Sequence, residues 1–185
     1  TLKAWQLITH EASSPTYDKL ATPISPIKKR KYGSLRTTPE VFSAWENTEK
    51  IAEMLKAKVI VFQCPASFQP TSENKENMRR FFTSIRRKKY QLVWEPRGKW
   101  APGEAKDLCK ELNLIYSPDP LQIVSPRDYA IEYFRLHGQN GYRYKYTDAD
   151  LKKLLSMLSG DQLSYVMFNN MSMLDDAMRL KQMLA

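Results

Sequence analysis

Two short stretches of the chain set charged or proton-exchanging groups two residues apart: Glu95 and Arg97 in VWEPRG, and Arg135 and His137 in YFRLHG. Residues two apart on an extended strand project to one face, so each pair shares a face if the preceding residues are strands. A guanidinium offers a bidentate grip on phosphate or carboxylate. A carboxylate beside a guanidinium stays ionised, and an imidazole exchanges protons near neutrality. Such a set suits binding an anion and doing acid–base work on it. The candidate acid–base residues are therefore Glu95, His137, Asp119 and His10, and the candidate ligand-binding residues are Gln63, Arg97, Arg135, Asn169 and Asn170. The competing reading is structural: a Glu–Arg network that satisfies its own charges, with Asp119-Pro120 and Asn169-Asn170 as ordinary turns and caps.

These residues need strands to hold them, and the sequence supplies six short apolar runs: Leu2 to Ile8, Val59 to Phe62, Gln91 to Trp94, Leu114 to Tyr116, Ile131 to Leu136 and Tyr165 to Phe168. Each has strand length, and most are rich in β-branched or aromatic residues. Each hands over to residues a core would not choose: Thr9 and His10, Gln63 and Cys64, Glu95 to Arg97, Asp119, His137 and Gly138, and Asn169 and Asn170. Between the runs lie helical periodicities. Thr38 and Pro39 read as an N-cap and first-turn proline. Ser72 reads as the cap of a second helix carrying Met78, Phe81, Phe82 and Ile85, with Arg79, Arg80 and Arg86 to Lys88 on its other face. Three more helices are expected over Pro102 to Leu112, Asp148 to Leu158 and Leu174 to Leu184. Alternating strands and helices predict an α/β fold with parallel strands, either an open sheet or a closed barrel. In such folds ligands gather at the C-terminal ends of the strands. Two segments break the rhythm: a basic loop over Thr22 to Thr38 containing Lys28 to Lys31, and an irregular connection over Pro118 to Asp128.

Composition bounds the rest. A chain of 185 residues with 42% hydrophobic content builds one sizeable core, and a single domain over 1–185 is expected. A net charge of +9 favours an anionic partner, a small molecule or phosphate first. The alternative is a nucleic-acid-binding protein without catalysis. It would use the 28–31 run, the basic helix face, and stacking by Trp100, Tyr142, Tyr144 and Tyr146. Cys64 and Cys109 have neither zinc nor disulfide spacing. No apolar run is long enough to span a bilayer and the first residues lack signal-peptide order, so a cytoplasmic protein is expected. Glycine-rich phosphate loops, G-x-S-x-G and HExxH are absent. His10 and His137 with Glu95 or Asp119 would make a two-histidine, one-carboxylate set if the fold converged them, but no close ligand spacing supports a metal. The sequence leaves the cofactor unknown.

The blocks LKAWQLITH, VIVFQCPASFQPT, WEPRGKW, DP at 119–120, YFRLHG, YRYKYTDADL and YVMFNNMSMLDDA resemble, in order and over nearly the whole chain, those of the YecE-like family, domain of unknown function 72. The resemblance implies a (β/α)8 TIM-like barrel. Members of that family open with a GTSGW-like strand and a second strand with an E-x-N-like motif, and neither is found here. The six runs would then be strands three to eight of an incomplete barrel, truncated at its N-terminus. The family's reaction is not established. On a barrel, Arg135, His137, Asn169 and Asn170 follow strands seven and eight, where many such folds hold phosphate. A hydrolase or isomerase of an anionic substrate is the resulting expectation.

Overall fold

The computed structural model describes residues 1–122 and 129–184. The chain divides into two compact units, Thr1–Leu114 and Ile115–Ala185. The fold is mixed α/β with parallel strand pairing.

In the first unit, β1 (Leu2–Lys3), β2 (Val59–Gln63) and β3 (Gln91–Glu95) lie side by side in sequence order, all parallel. Helix α3 (Pro39–Met54) connects β1 to β2, and α4 (Ser72–Ser84) connects β2 to β3. Thr38 caps α3 as expected, its hydroxyl accepting from Val41 N. The cap of α4 is Thr71 rather than Ser72, because it is the Thr71 hydroxyl that reaches Asn74 N. Ile85 follows the helix, so Arg86 to Lys88 lie beyond its end rather than on its face.

Phe62 explains why these helices pack where they do. Its ring meets Trp45 of α3 at 5.6 Å, and Phe81 and Phe82 of α4 at 5.9 and 4.9 Å. Burying each of these aromatic rings contributes on the order of 2 kcal/mol. By strand alternation, Val61, Gln63, Val93 and Glu95 occupy the opposite face of the sheet.

The first apolar run is not one strand. Only Leu2–Lys3 pairs with β2, and Gln6–Thr9 closes a single helical turn, α1, with Leu7, Ile8 and Thr9 buried. The basic stretch is not wholly irregular either, since Ser25 caps a short helix, α2 (Pro26–Lys29). After β3, α5 (Pro102–Glu111) completes the unit.

The second unit contains β4 (Ile115–Tyr116), β5 (Ile131–Leu136) and β6 (Leu163–Phe168). Strands β5 and β6 pair in parallel, and Arg135 N donates to Pro118 O at 3.3 Å, tying β5 to the segment after β4. Part of the expected irregular connection, residues 123–128 with Pro126, lies outside the described residues.

Helix α6 (Asp148–Met157) opens on a capping box in which Thr147 and Asp150 exchange side-chain to backbone bonds. Helix α7 (Met173–Met183) follows β6. Phe134 and Leu136 of β5, Tyr146, Leu151, Leu154 and Leu180 form the buried core of this unit. That core takes one face of β5 and leaves Tyr133 and Arg135 on the other. No described helix is long and apolar enough to cross a membrane.

Candidate functional site

The two units each carry a polar rim at the C-terminal ends of their strands. In the first, Gln63 and Glu95 are register partners on β2 and β3, so the half-buried Gln63 amide stands beside the Glu95 carboxylate position on the same face. Glu95 is buried, and its Oε1 lies 3.0 Å from Arg97 Nε. The turn that follows is bolted to the loop after β2. Trp100 Nε1 donates to Phe68 O at 2.8 Å, Lys99 N donates to Gln69 Oε1, and Cys64 N donates to Glu95 O. A side chain on Gly98 would run into Phe68 O, which is why the turn needs glycine. Pro96 has no N–H to extend the ladder, so β3 ends where the charges begin.

His10 sits apart from this pair, at the end of α1. Its Nδ1 is 2.8 Å from the Thr9 hydroxyl, and its carbonyl accepts from the Tyr17 hydroxyl at 2.9 Å. The loop at Gly33 to Leu35 clamps α1: Gly33 N, Leu35 N and Ser34 N donate to the carbonyls of Leu7, Ile8 and Thr9. Glu11 closes the clamp by accepting from Ser34 Oγ and Arg36. Burial, and then the Lys3 ammonium, push the His10 imidazole below its ordinary pKa. His10 opens onto a groove of about 630 Å³ beside β1 that Leu2, Trp5, Lys19, Thr48 and Ile51 also line.

In the second unit, Asp119, His137 and Asn169 come together, with Arg135 on the same face of β5. Asn169 N donates to Leu136 O at 2.8 Å, extending the β5–β6 ladder one residue past the strand. The Asn169 side-chain nitrogen lies 2.9 Å from His137 Nδ1. The backbone N of His137 donates to Asp119 Oδ2, and Asp119 also accepts from Leu121 N and the Gln122 amide. Arg135, two residues before His137 and partly exposed, shares its face.

Gly138 then turns with φ +84°, where a side chain would strike the Gly141 carbonyl, and its N–H donates to the buried Tyr146 hydroxyl at 2.7 Å. Burial is the largest cause raising the Tyr146 pKa, so this hydroxyl stays protonated and neutral as it accepts.

Asn170 points away from this cluster. It is fully buried, and its amide nitrogen donates to Tyr144 O and to Asp176 Oδ2, each at 2.7 Å. Asp176 is buried too; it accepts from Tyr146 N, and its Oδ1 pairs with Arg179 at 3.1 Å. Asp176, which stands one residue before the end of the family-like block YVMFNNMSMLDDA, and Arg179 are not among the candidate site residues, although their i, i+3 spacing on an amphipathic helix is the pattern that pairs them.

Other expected roles change. Tyr146 and Trp100 are buried, so neither ring is open for base stacking, and Tyr144 donates to Asp150 Oδ2 at 2.6 Å. Tyr142 remains exposed. On the basic helix, Arg79 bonds Glu111 through two nitrogens and Arg80 pairs with Glu76. Arg87 is turned to the carbonyls of Leu112 and Asn113. Among the described residues no three of His, Cys, Asp and Glu gather as a metal-holding group.

The family model for a protein of unknown function, DUF72, matches residues 1–185, the whole chain. The chain belongs to the DUF72 family. A DUF72 family protein from Thermotoga maritima is similar in structure, with a TM-score of 0.61 and 24% identity over 77% of this chain. One from Enterococcus faecalis gives 0.59 at 19% identity over 80% of this chain. These likenesses support the DUF72 fold and carry no residue roles. The chain spans 65% of the Thermotoga protein's length and 66% of the Enterococcus protein's. No curated protein matches the chain.

Proposed function

We propose that this DUF72 chain binds an anionic small molecule, phosphate or carboxylate in character, at the rim of its second unit. Arg135 supplies the guanidinium grip, and His137 supplies a group that hydrogen-bonds or exchanges protons with the bound anion. The observation that carries this reading is the gathering of Asp119, His137 and Asn169 past the ends of β5 and β6, with Arg135 on the same face. Hydrolysis or isomerisation of an anionic substrate is the chemistry that fits a cation and an imidazole held side by side. The parallel βα order and the similarity to DUF72 structures support a (β/α)8-type barrel as the parent architecture. In such a barrel these residues follow the last two strands, the usual place for phosphate.

The test is a backbone-resolved NMR titration with inorganic phosphate. Saturable shifts at His137, Gly138 and Asn169 are expected, weakened at least about tenfold by Arg135→Gln, which removes a charge-assisted contact. Shifts that never saturate, or that survive Arg135→Gln unchanged, would overturn the reading.

A further inference from the structure

The groove beside β1 is preformed, because separate contacts fix its walls. Strand β1 is the edge of its sheet, and among the described residues no strand pairs with its outer side. The Thr48 hydroxyl, donating to Ala44 O at 2.9 Å and accepting from Trp5 N at 3.4 Å, ties the corner between β1 and α1 to α3. Gln6 Nε2 donates to Thr16 O at 3.5 Å, holding α1 to the tight turn Pro15–Lys19 that Ser14 caps. A cleft of about 630 Å³ among these elements is of the size that takes a small molecule.

The lining indicates which kind. Leu2, Ala4, Trp5 and Ile51 give apolar surface, and Trp5 and Ile51 are 37% and 48% exposed, area that a ligand would take from water. The charge is of one sign. Lys3, Lys19 and Lys50 line the groove, and no Asp or Glu is among the described residues that do. Lys19 and Lys50 are exposed and pair with no carboxylate among the described residues. His10 lines the groove as a neutral imidazole, because burial and then Lys3 lower its proton affinity, so the lysines supply the charge. No guanidinium, whose fork favours phosphate, is in the lining, and apolar walls resist a dianion. We propose that this groove binds an amphipathic carboxylate: Lys19 and Lys50 meet its head, and Leu2, Trp5 and Ile51 cover its apolar tail. The site lies wholly in the first unit, so it stands or falls apart from the rim of the second.

The test is isothermal titration calorimetry of the whole chain with decanoate, kept below the concentration at which it forms micelles. Saturation at one decanoate per chain is expected. Each methylene removed from the tail should weaken binding by up to about fourfold. Decanol, the tail without the charge, should bind about three- to tenfold more weakly, the worth of two part-exposed ion pairs. Acetate, the charge without the tail, should give no measurable heat. Decanol binding as tightly as decanoate, or decanoate that never saturates, overturns the proposal. These arms use the wild-type chain, so they decide even if a variant fails to fold.

Variants then place the ligand in this groove. Lys19→Gln and Lys50→Gln should each weaken decanoate binding about two- to fivefold. Ile51→Glu, at an exposed position, sets a carboxylate where the tail would lie and should weaken binding at least about tenfold. Decanoate binding untouched by Ile51→Glu overturns the assignment. So does an extended peptide of alternating valine and glutamate that saturates the chain where decanoate does not, since the groove then takes a polypeptide strand.

Discussion

Arg97 Nε lies 3.0 Å from Glu95 Oε1, yet the two partners are unequally placed: the carboxylate side chain is 3% exposed and the guanidinium side chain 34%. Desolvation therefore falls mainly on Glu95. Removing the arginine strips a cation from a buried charge, whereas removing the charge of Glu95 leaves an arginine that water can still reach. Arg97→Ala should cost about 2 kcal/mol, short of the roughly 3–5 kcal/mol of fully buried pairs, and Glu95→Gln about 1 kcal/mol. Urea unfolding of both variants checks the order, and equal losses would contradict the asymmetry.

Asn170→Ala should behave as a stability variant. It removes the donor that serves both Tyr144 O and Asp176 Oδ2 and leaves a buried carboxylate one partner poorer. A loss of about 1–3 kcal/mol follows from orphaning buried acceptors. Phosphate titration of the folded variant should match wild type, whereas Asn169→Ala should show the opposite pattern.

Mild acid should weaken the fold through His10. Its pKa is held below the ordinary 6.5 by burial first and Lys3 second, so the unfolded chain takes up the proton more readily. The stabilisation is fully present above about pH 6.5 and is lost as pH falls through that value toward the folded pKa. Carboxylates with lowered pKa, such as Glu111 beside Arg79 and Asp148 beside Arg179, lose theirs only at more acidic pH. His10→Asn should flatten the milder limb of a plot of urea midpoint against pH and leave the acid limb in place.

The two thiols should be silent in the native protein. Cys64 is buried, its pKa pushed up to about 12 by burial, with its sulfur accepting from Trp94 Nε1 at 3.4 Å. Burial raises Cys109 as well. Since the thiolate is the reactive form, an aromatic disulfide reagent should titrate no cysteine under native conditions and both in denaturant. One thiol reacting at once would show that a buried position opens readily.

The strands that place the rims were legible where an apolar run is bounded by a sharp change of chemistry. Val59–Gln63, Gln91–Glu95 and Ile131–Leu136 all end within a residue of where the sequence puts them. The first run misled because Leu7 and Ile8 are apolar for the sake of one buried helical turn, and a four-residue helix leaves no periodicity to detect. Asn169 and Asn170 were read as equals, although neighbours on an extended chain face opposite ways. The same parity that pairs Glu95 with Arg97 sends Asn169 to the rim and Asn170 into the core. The i, i+3 spacing points only to the Asp176–Arg179 pair; the burial of Asp176 is not legible because its other partners lie 6 and 30 residues away, at Asn170 and Tyr146, and only the closed fold brings them together.

The turn at Gly138 has a consequence for how this chain can vary. A substituted residue there would need a new path for 138–141, a new seat for Tyr144 and a new partner for the Tyr146 hydroxyl, all at once. The glycine after the histidine is therefore a diagnostic letter: a relative that keeps FRLH but carries another residue there is expected to leave β5 by a different turn.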